Sequence, residues 1–135
     1  NGEENLELET KLKKINSKKN IFYSKYKLSN LEDFRDKNIL AFAGIGNPEN
    51  FFNLLIKNGL NLKKSISFPD HYNFKKQEIL EIIEKAKKQN YTILTTEKDF
   101  LRIKNFNFTD IYSCNVNLEI TKKSELTTLI QKIYD

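Results

Sequence analysis

The sequence predicts an α/β fold in which helices cover both faces of a mostly parallel β-sheet. From residue 39 to the end of the chain, short apolar runs alternate with longer segments whose apolar residues recur at helical spacing. Strands that alternate with helices pair in parallel, because each helix carries the chain back across one face of the sheet. The 135 residues suffice for one such domain with a sizeable core.

The residues before this alternation are predicted to lie outside the α/β domain. Residues 1–19 are polar and charged, and we expect an N-terminal extension, either a frayed helix or a tail. Residues 20–28 (NIFYSKYKL) are dense in aromatic and β-branched side chains and favour an edge strand. The predicted division is therefore an extension over 1–19, a strand and polar connection over 20–38, and an α/β domain over 39–135.

The stretch ILAFAGIGNPENF organises the rest of the domain. Its apolar start predicts a buried strand, and Gly44 and Gly46 make a turn. Asn47 is a helix-capping residue and Pro48 suits the first helical position, so a helix begins here. We expect this helix to end near Gly59, since glycine commonly follows the last helical turn.

Further strands and helices follow this first unit. The predicted strands are residues 63–68, 91–94 and 111–116, with 118–120 continuing the last one or pairing nearby. Residues 75–89 carry the clearest apolar stripe at helical spacing, and Asn73 is the expected cap of that helix. Thr121 is the expected cap of a final helix that reaches the end of the chain.

Composition limits the function classes. The net charge of +5 is modest, and lysines are interleaved with acidic residues, which indicates a solvated surface rather than a nucleic-acid-binding face. The single cysteine, Cys114, excludes an intrachain disulfide, suits a reducing compartment and is predicted to lie in the core. No apolar run approaches the roughly 20 residues of a membrane span. The chain begins with Asn1 rather than methionine, which suggests a fragment or a processed chain.

Candidate chemistry lies in the three loops at the carboxyl ends of the predicted strands, where ligands collect in open parallel sheets. In the first loop, backbone N–H groups at Gly44, Gly46 and Asn47 can bind a phosphate at the helix N-terminus. The pattern is incomplete, because Glu49 stands where a dinucleotide-binding fingerprint has its third glycine. The alternative is that the glycines only let the helix pack closely on the sheet.

The second loop contains Asp70 and His71, the only histidine of the chain. Because an imidazole takes up and releases protons near neutral pH, His71 is a candidate catalytic acid, base or proton relay, with Asp70 as its neighbour. The alternative is an exposed loop histidine without a catalytic role. One histidine without a cysteine cluster predicts no metal site.

The third loop reads Thr95-Thr96-Glu97-Lys98-Asp99. Lys98 can neutralise a phosphate and the two threonine hydroxyls can contact one, so Thr95, Thr96, Lys98 and Asp99 are further phosphate-binding candidates. The alternatives are an ion pair or helix cap within the loop for Lys98, and simple strand termination for the threonines.

Three stretches, in this order and spacing, resemble the C-terminal part of the tetraacyldisaccharide 4′-kinases, the lipid A kinases of Gram-negative bacteria. They are LAFAGIGNPENFF (Leu40 to Phe52), FPDHYNF (Phe68 to Phe74) and ILTTEKDFLRI (Ile93 to Ile103). The resemblance implies a three-layer, Rossmann-like domain, which is the smaller domain of the kinase. It also implies that residues 20–28 belong to the linker from an N-terminal P-loop domain.

The resemblance further implies an activity for the intact kinase. Members of this family transfer the γ-phosphate of ATP to the 4′-hydroxyl of tetraacyldisaccharide 1-phosphate, the lipid A disaccharide precursor. By motif match, His71 is the histidine that forms a dyad with an aspartate of the N-terminal domain. ATP and Mg²⁺ serve the intact enzyme, with Mg²⁺ held mainly by the P-loop domain, so neither is expected to bind tightly to this chain.

The partners that the resemblance implies are the P-loop domain, the lipid precursor and the membrane surface, without nucleic acid. The implied location is cytoplasmic, peripheral at the cytoplasmic face of the inner membrane. The chain departs from the family pattern in lacking a Gly-Lys-Thr loop, a Mg²⁺-binding aspartate motif and an obvious lipid-docking face. Asn73, where family members often have proline, and Lys75, near an expected Ser or Thr cap, are smaller departures.

These departures lead us to expect the C-terminal portion of such a kinase, inactive alone. Two alternatives are kept. The chain could be a free-standing Rossmann-like module that binds a nucleotide or phosphate at the Gly44 turn without catalysis. It could also be an interaction domain without a ligand.

Overall fold

A computed structural model describes residues 5–134. The helices are α1 (Leu6–Ile15), α2 (Pro48–Lys57), α3 (Lys76–Gln89), α4 (Glu97–Ile103) and α5 (Lys123–Tyr134). The strands are β1 (Ser24–Leu28), β2 (Asn38–Ala43), β3 (Asn61–Ser67), β4 (Thr92–Thr96), β5 (Ile111–Cys114) and β6 (Val116–Ile120). Contacts divide the chain into two units, one of Asn1–Lys27 with Asn117–Asp135 and one of Leu28–Val116.

The Leu28–Val116 unit is built on a four-stranded sheet with the order β3-β2-β4-β5. All three neighbouring pairs are parallel. Strand β2 is buried from Ile39 to Ala43, as expected for a central strand covered on both faces. The mostly parallel sheet is confirmed, and the carboxyl ends of its four strands lie at one edge.

Alternate side chains of β2 enter two separate cores, because successive residues of a strand face opposite sides of the sheet. On one side, Ile39 and Ala41 share a core with Phe51, Phe52 and Leu55 of α2. On the other side, the core contains Leu40 and Phe42 of β2, Ile79, Ile82, Ile83 and Ala86 of α3, and Ile103 of α4. The predicted three layers, with helices on both faces, are confirmed.

The start and end of α2 follow the sequence signals. The Asn47 side chain accepts a hydrogen bond from the backbone N–H of Asn50 at 3.1 Å, and Pro48 is the first helical residue. Gly59 follows the helix at φ +82°, a left-handed conformation that glycine adopts without strain.

The predicted caps of α3 and α5 were wrong. The carboxylate of Glu78 accepts from the backbone N–H of Lys75 at 2.9 Å, so α3 is capped from inside its first turn and not by Asn73. The Thr121 hydroxyl donates to the carbonyl of Tyr23 at 3.0 Å instead of capping α5, whose first turn begins at the carbonyl of Lys122.

The prediction of a loop after β4 was also wrong, because Glu97–Ile103 is a helix. Thr96 caps it by accepting from the backbone N–H of Asp99 at 3.2 Å. The predicted strand over 111–116 ends earlier, at Cys114, and the following strand β6 pairs with β1 in a separate two-stranded sheet.

The other unit contains α1, α5 and most of the two-stranded sheet. Part of the predicted extension over 1–19 is the helix α1, capped by Asn5, which accepts from the backbone N–H of Leu8 at 2.9 Å; residues 1–4 lie outside the described residues. The Tyr23 hydroxyl donates to Glu9 at 3.1 Å, and Lys13 followed by Tyr23 lowers the pKa of the Glu9 carboxyl. Across residues 5–134, no helix has the length and apolar character to cross a membrane.

Candidate functional site

The three loops predicted from the sequence meet at the carboxyl edge of the sheet, within the Leu28–Val116 unit. The backbone N–H of His71, in the second loop, donates to the carbonyl of Gly44 in the first at 3.2 Å. The backbone N–H of Gly44 donates to the Asp99 carboxylate, which follows β4, at 2.9 Å. One glycine therefore connects the other two segments directly.

Asp99 is the buried charge of this edge. Its side chain is fully buried, and its oxygens accept from Gly44 N–H, from the Thr96 hydroxyl at 2.8 Å and from the Arg102 guanidinium at 2.7 Å. A buried carboxylate is stable only when it is paired and hydrogen-bonded, and both conditions hold here. Asp99 thus ties the start of α4 to the Gly44 turn.

Arg102 lies one helical turn beyond Asp99 and extends the network towards solvent. Its Nη1 donates to Asp99 at 2.7 Å and to the carbonyl of Gly44 at 2.9 Å, and its Nη2 lies 3.1 Å from Nδ1 of His71. Sequence reasoning missed this residue, although the three-residue spacing of Asp99 and Arg102 on a helix was the signal that could have found it.

His71 adopts a left-handed backbone conformation, with φ +56°. Its backbone N–H also donates to Oδ1 of Asp70 at 2.9 Å, and its side chain is 79% exposed. Nε2 of the ring lies 3.9 Å from Oδ2 of Asp70, which is too long for a hydrogen bond. The structure therefore brings Asp70 and His71 side by side without forming a hydrogen-bonded pair of their side chains.

Three aromatic rings on either side of Asp70 and His71 pack against one another. The rings of Phe68, Tyr72 and Phe74 lie with centroids 4.9 to 5.3 Å apart. A Cβ atom on Gly44 would lie 3.2 Å from Phe74 Cζ and from Tyr72 Cβ, so a larger residue here would require these neighbours to move by a few tenths of an ångström. The Tyr72 hydroxyl donates to Glu78 at 2.7 Å, and this bond raises the pKa of Tyr72.

The remaining phosphate-binding candidates fall into two groups. The hydroxyl of the buried Thr95 donates to the carbonyl of Phe42 at 2.8 Å, and the Thr96 hydroxyl is bonded to Asp99, so both groups are used within the fold. Gly46 and Asn47 are exposed in the turn, where the Asn47 side chain caps α2, and Lys98 is exposed in the first turn of α4.

Within residues 5–134, no three His, Cys, Asp or Glu side chains form a group that could hold a metal ion. The predicted core position of Cys114 is confirmed, and burial raises the pKa of its thiol to about 11. Burial and a raised pKa make this thiol a packing group rather than a nucleophile.

The amino-acid sequence matches a known protein family over nearly its whole length. The model of the family described as "LpxK: Tetraacyldisaccharide-1-P 4′-kinase" matches residues 2–135. The chain belongs to the tetraacyldisaccharide 4′-kinase family. This confirms the resemblance that the three loop motifs indicate.

Individual members of the kinase family match as well. The chain is 38% identical over 134 residues to the tetraacyldisaccharide 4′-kinase of Pelagibacter ubique, covering 98% of this chain and 43% of that protein. It is 39% identical over 98 residues to the enzyme of Rickettsia akari, covering 73% of this chain and 30% of that protein. The chain thus spans less than half the length of these relatives.

A solved structure shares the fold. The crystal structure of LpxK from Aquifex aeolicus, in complex with ATP, matches with a TM-score of 0.58 and 19% identity. The match covers 91% of this chain and 41% of the Aquifex chain. The α/β architecture is therefore that of a tetraacyldisaccharide 4′-kinase segment.

Proposed function

We propose that this chain is the C-terminal segment of a tetraacyldisaccharide 4′-kinase and that it carries His71 to the phosphoryl-transfer site. In this proposal a P-loop domain binds ATP and Mg²⁺, and the two parts together phosphorylate the 4′-hydroxyl of tetraacyldisaccharide 1-phosphate in lipid A biosynthesis. The family match over residues 2–135 supports the reaction class. The 43% coverage of the Pelagibacter ubique enzyme supports a role for further chain outside this segment.

One observation carries the role of His71. The ring is exposed at the carboxyl edge of the sheet, its Nδ1 is engaged by Arg102, and Nε2 has no hydrogen-bond partner among the described residues. We take Nδ1 as the acceptor from Arg102, an assignment that places the ring proton on Nε2. His71 in this state cannot accept the hydroxyl proton of the sugar through Nδ1, but it can donate from Nε2.

We assign His71 the task of orienting a carboxylate supplied by the P-loop domain. The Nε2–H group donates to that carboxylate, and the carboxylate accepts the proton of the 4′-hydroxyl as the phosphate is transferred. Phosphoryl transfer depends mainly on positioning and charge stabilisation, so fixing the direction of one carboxylate is a sufficient contribution.

We also propose that Gly46 and Asn47 of the exposed turn, and the exposed Lys98 of α4, approach phosphate groups of the nucleotide or the lipid precursor. Thr95, Thr96 and Asp99 then serve phosphate binding indirectly, because their polar groups hold the loops in place. We assign Mg²⁺ to the P-loop domain, as the resemblance to the kinase family implies, and no group of three ligating side chains within residues 5–134 speaks for a site here. The intact enzyme is proposed to work at the cytoplasmic face of the inner membrane.

A chimera tests this proposal. In it, the chain replaces the matching 134-residue segment of the Pelagibacter ubique kinase, which supplies the remaining part of that protein. The assay measures transfer of labelled phosphate from ATP to tetraacyldisaccharide 1-phosphate. We expect transfer by the chimera and none by the isolated chain.

Two results would contradict the proposal. One is a folded chimera that binds ATP and lipid without transferring phosphate, and the other is transfer by the isolated chain above a blank. Calorimetric titration of the isolated chain with ATP tests the alternative of a free-standing nucleotide-binding module. That alternative requires ATP to bind without the P-loop domain, whereas our proposal predicts no tight binding.

A further inference from the structure

We infer that Arg102 is the positioning residue for His71 and holds the imidazole in the neutral form with its proton on Nε2. The inference rests on the proposed function only for its effect on catalysis. Its structural part concerns the ring alone and can be tested without activity.

The direction of the Arg102–His71 hydrogen bond follows from the chemistry of the two groups. A guanidinium has five N–H donors, no acceptor, and stays protonated at every pH at which proteins fold. Nη2 of Arg102 lies 3.1 Å from Nδ1 of His71, so Nδ1 must be the acceptor. A proton on Nδ1 would face this donor, and both the neutral Nδ1–H tautomer and the imidazolium would lose the bond.

Arg102 is held in place from the other side. Its Nη1 is bonded to the fully buried Asp99 and to the carbonyl of Gly44, and the side chain is only 25% exposed. Because the guanidinium is planar, fixing Nη1 by two acceptors also fixes the position of Nη2. The donor is therefore in place before any ligand arrives, and rotating it away from His71 would strain the bonds to Asp99 and Gly44.

The backbone of His71 is also held in place by hydrogen bonds. Its N–H bonds to Gly44 and Asp70 and its φ of +56° fix the loop in the conformation from which the ring reaches Arg102. Arg102 contacts the ring on the Nδ1 side, and the carboxylate of Asp70 lies 3.9 Å from Nε2. The distant carboxylate attracts a proton on Nε2 and so favours the same tautomer, but the hydrogen bond comes from Arg102.

The only histidine of the chain makes the test direct, because every imidazole nitrogen signal belongs to His71. We propose ¹⁵N NMR of the ring in the 135-residue chain at about pH 8.5, where a histidine side chain is ordinarily neutral. We expect Nδ1 at the shift of an unprotonated ring nitrogen and Nε2 at that of a protonated one. If the unmodified chain instead showed intermediate shifts, the two tautomers would be exchanging, and this result by itself would overturn the inference.

Variants then identify the group responsible. In Arg102→Gln both resonances should move towards the averages of the two tautomers, because a glutamine amide can donate or accept. Arg35→Gln is the control, since Arg35 pairs with Glu32 on an exposed turn and should leave both shifts unchanged. Unchanged ring shifts in Arg102→Gln would contradict the inference. Ring shifts that moved in Asp70→Asn but not in Arg102→Gln would also contradict it, because Asp70 would then determine the tautomer.

A second variant covers the case in which Arg102→Gln does not fold. Arg102→Lys keeps the positive charge beside Asp99, but its single nitrogen cannot take the places of both Nη1, which bonds Asp99 and the Gly44 carbonyl, and Nη2, which faces His71. We expect this variant to fold and to show the same movement of the ring signals. A folded Arg102→Lys chain with the unmodified shifts would contradict a role for the guanidinium.

The effect on catalysis is measured in the chimera. Arg102→Lys should lower kcat on the order of 10-fold, with little change in the KM for ATP, since only the orientation of His71 is lost. An altered tautomer with unchanged kcat would support the positioning of the ring and would count against the proposed catalytic role of His71. An unchanged tautomer would count against the positioning itself.

Discussion

Replacing Asp99 by alanine should destabilise the Leu28–Val116 unit by about 3–4 kcal/mol. The carboxylate is fully buried and accepts from Gly44 N–H, the Thr96 hydroxyl and Arg102. Removing one partner of a buried ion pair typically costs about 3–5 kcal/mol, because the other partners lose their bonds and remain desolvated. Arg102 is partly accessible and can regain water, which places the expected cost in the lower part of that range.

One further variant separates the contributions to this loss of stability, and a second serves as its control. Asp99→Asn keeps the shape and one oxygen that can accept from Gly44 N–H, so it should lose only the charge-assisted part, about 1.5–3 kcal/mol. Asp110→Ala is the control, because Asp110 pairs with Lys87 at 3.2 Å on the surface, where ion pairs contribute less than about 1 kcal/mol.

The assay is urea unfolding followed by far-ultraviolet circular dichroism, with tyrosine fluorescence as a second probe because the chain contains no tryptophan. Coincident transitions from the two probes would establish the two-state behaviour that the comparison requires. If Asp99→Ala differed from Asp110→Ala by less than about 1 kcal/mol, Asp99 would not be the residue that ties α4 to the Gly44 turn.

Three smaller predictions concern the surroundings of the site. Gly44→Ala should lower the free energy of unfolding in urea by about 1–3 kcal/mol, because its Cβ would lie 3.2 Å from atoms of two aromatic residues. Gly46→Ala should lower it less, because the nearest atom would be 3.4 Å away. Equal losses in the two variants would contradict this reasoning. Cys114, its pKa raised to about 11, should react with a thiol reagent at pH near 8 only as fast as the chain unfolds, and rapid reaction of the folded chain would contradict its burial. The backbone N–H of Lys75 lowers the pKa of Glu78, so the stability that Glu78 contributes is present above its ordinary pKa of 4.5 and is lost as the pH falls through the lowered value. Urea midpoints should therefore fall more for the unmodified chain than for Glu78→Gln between neutral and acid pH, and parallel curves would contradict the shift.

The fold could be predicted from local signals. The buried strand β2, the Asn47 cap with Pro48 and the glycine at the end of α2 each have a single dominant physical cause that is visible in a few residues. Alternation of such units leaves few topologies open, because crossover connections have one hand. The helices on both faces, and hence two cores, follow from the same pattern, but the strand order β3-β2-β4-β5 was not predicted, because alternation alone does not determine which strands are neighbours.

The site could be predicted only in part. The three loops were expected at one edge because parallel strands share their carboxyl end. The left-handed conformation of His71 and its contact with Arg102 were not predictable, since they depend on residues 31 positions apart. The helix α4 was missed although Thr96 and Asp99 have the spacing of a cap, because residues 95–99 were interpreted as a loop that could contact phosphate.

The central claim is that His71 acts in phosphoryl transfer, and kcat of the chimera with His71→Asn tests it most directly. Asparagine tolerates the φ of +56° at this position, so the loop is retained while the imidazole is lost. An orienting group should contribute at or below the low end of the roughly 10²- to 10⁴-fold typical of acid–base relays, so kcat should fall by about 10²-fold or somewhat less, with little change in the KM for ATP. The control is Asn73→Ala, a change at an exposed neighbour in the same loop, which should leave kcat unchanged. Full kcat in a folded His71→Asn chimera would contradict the account.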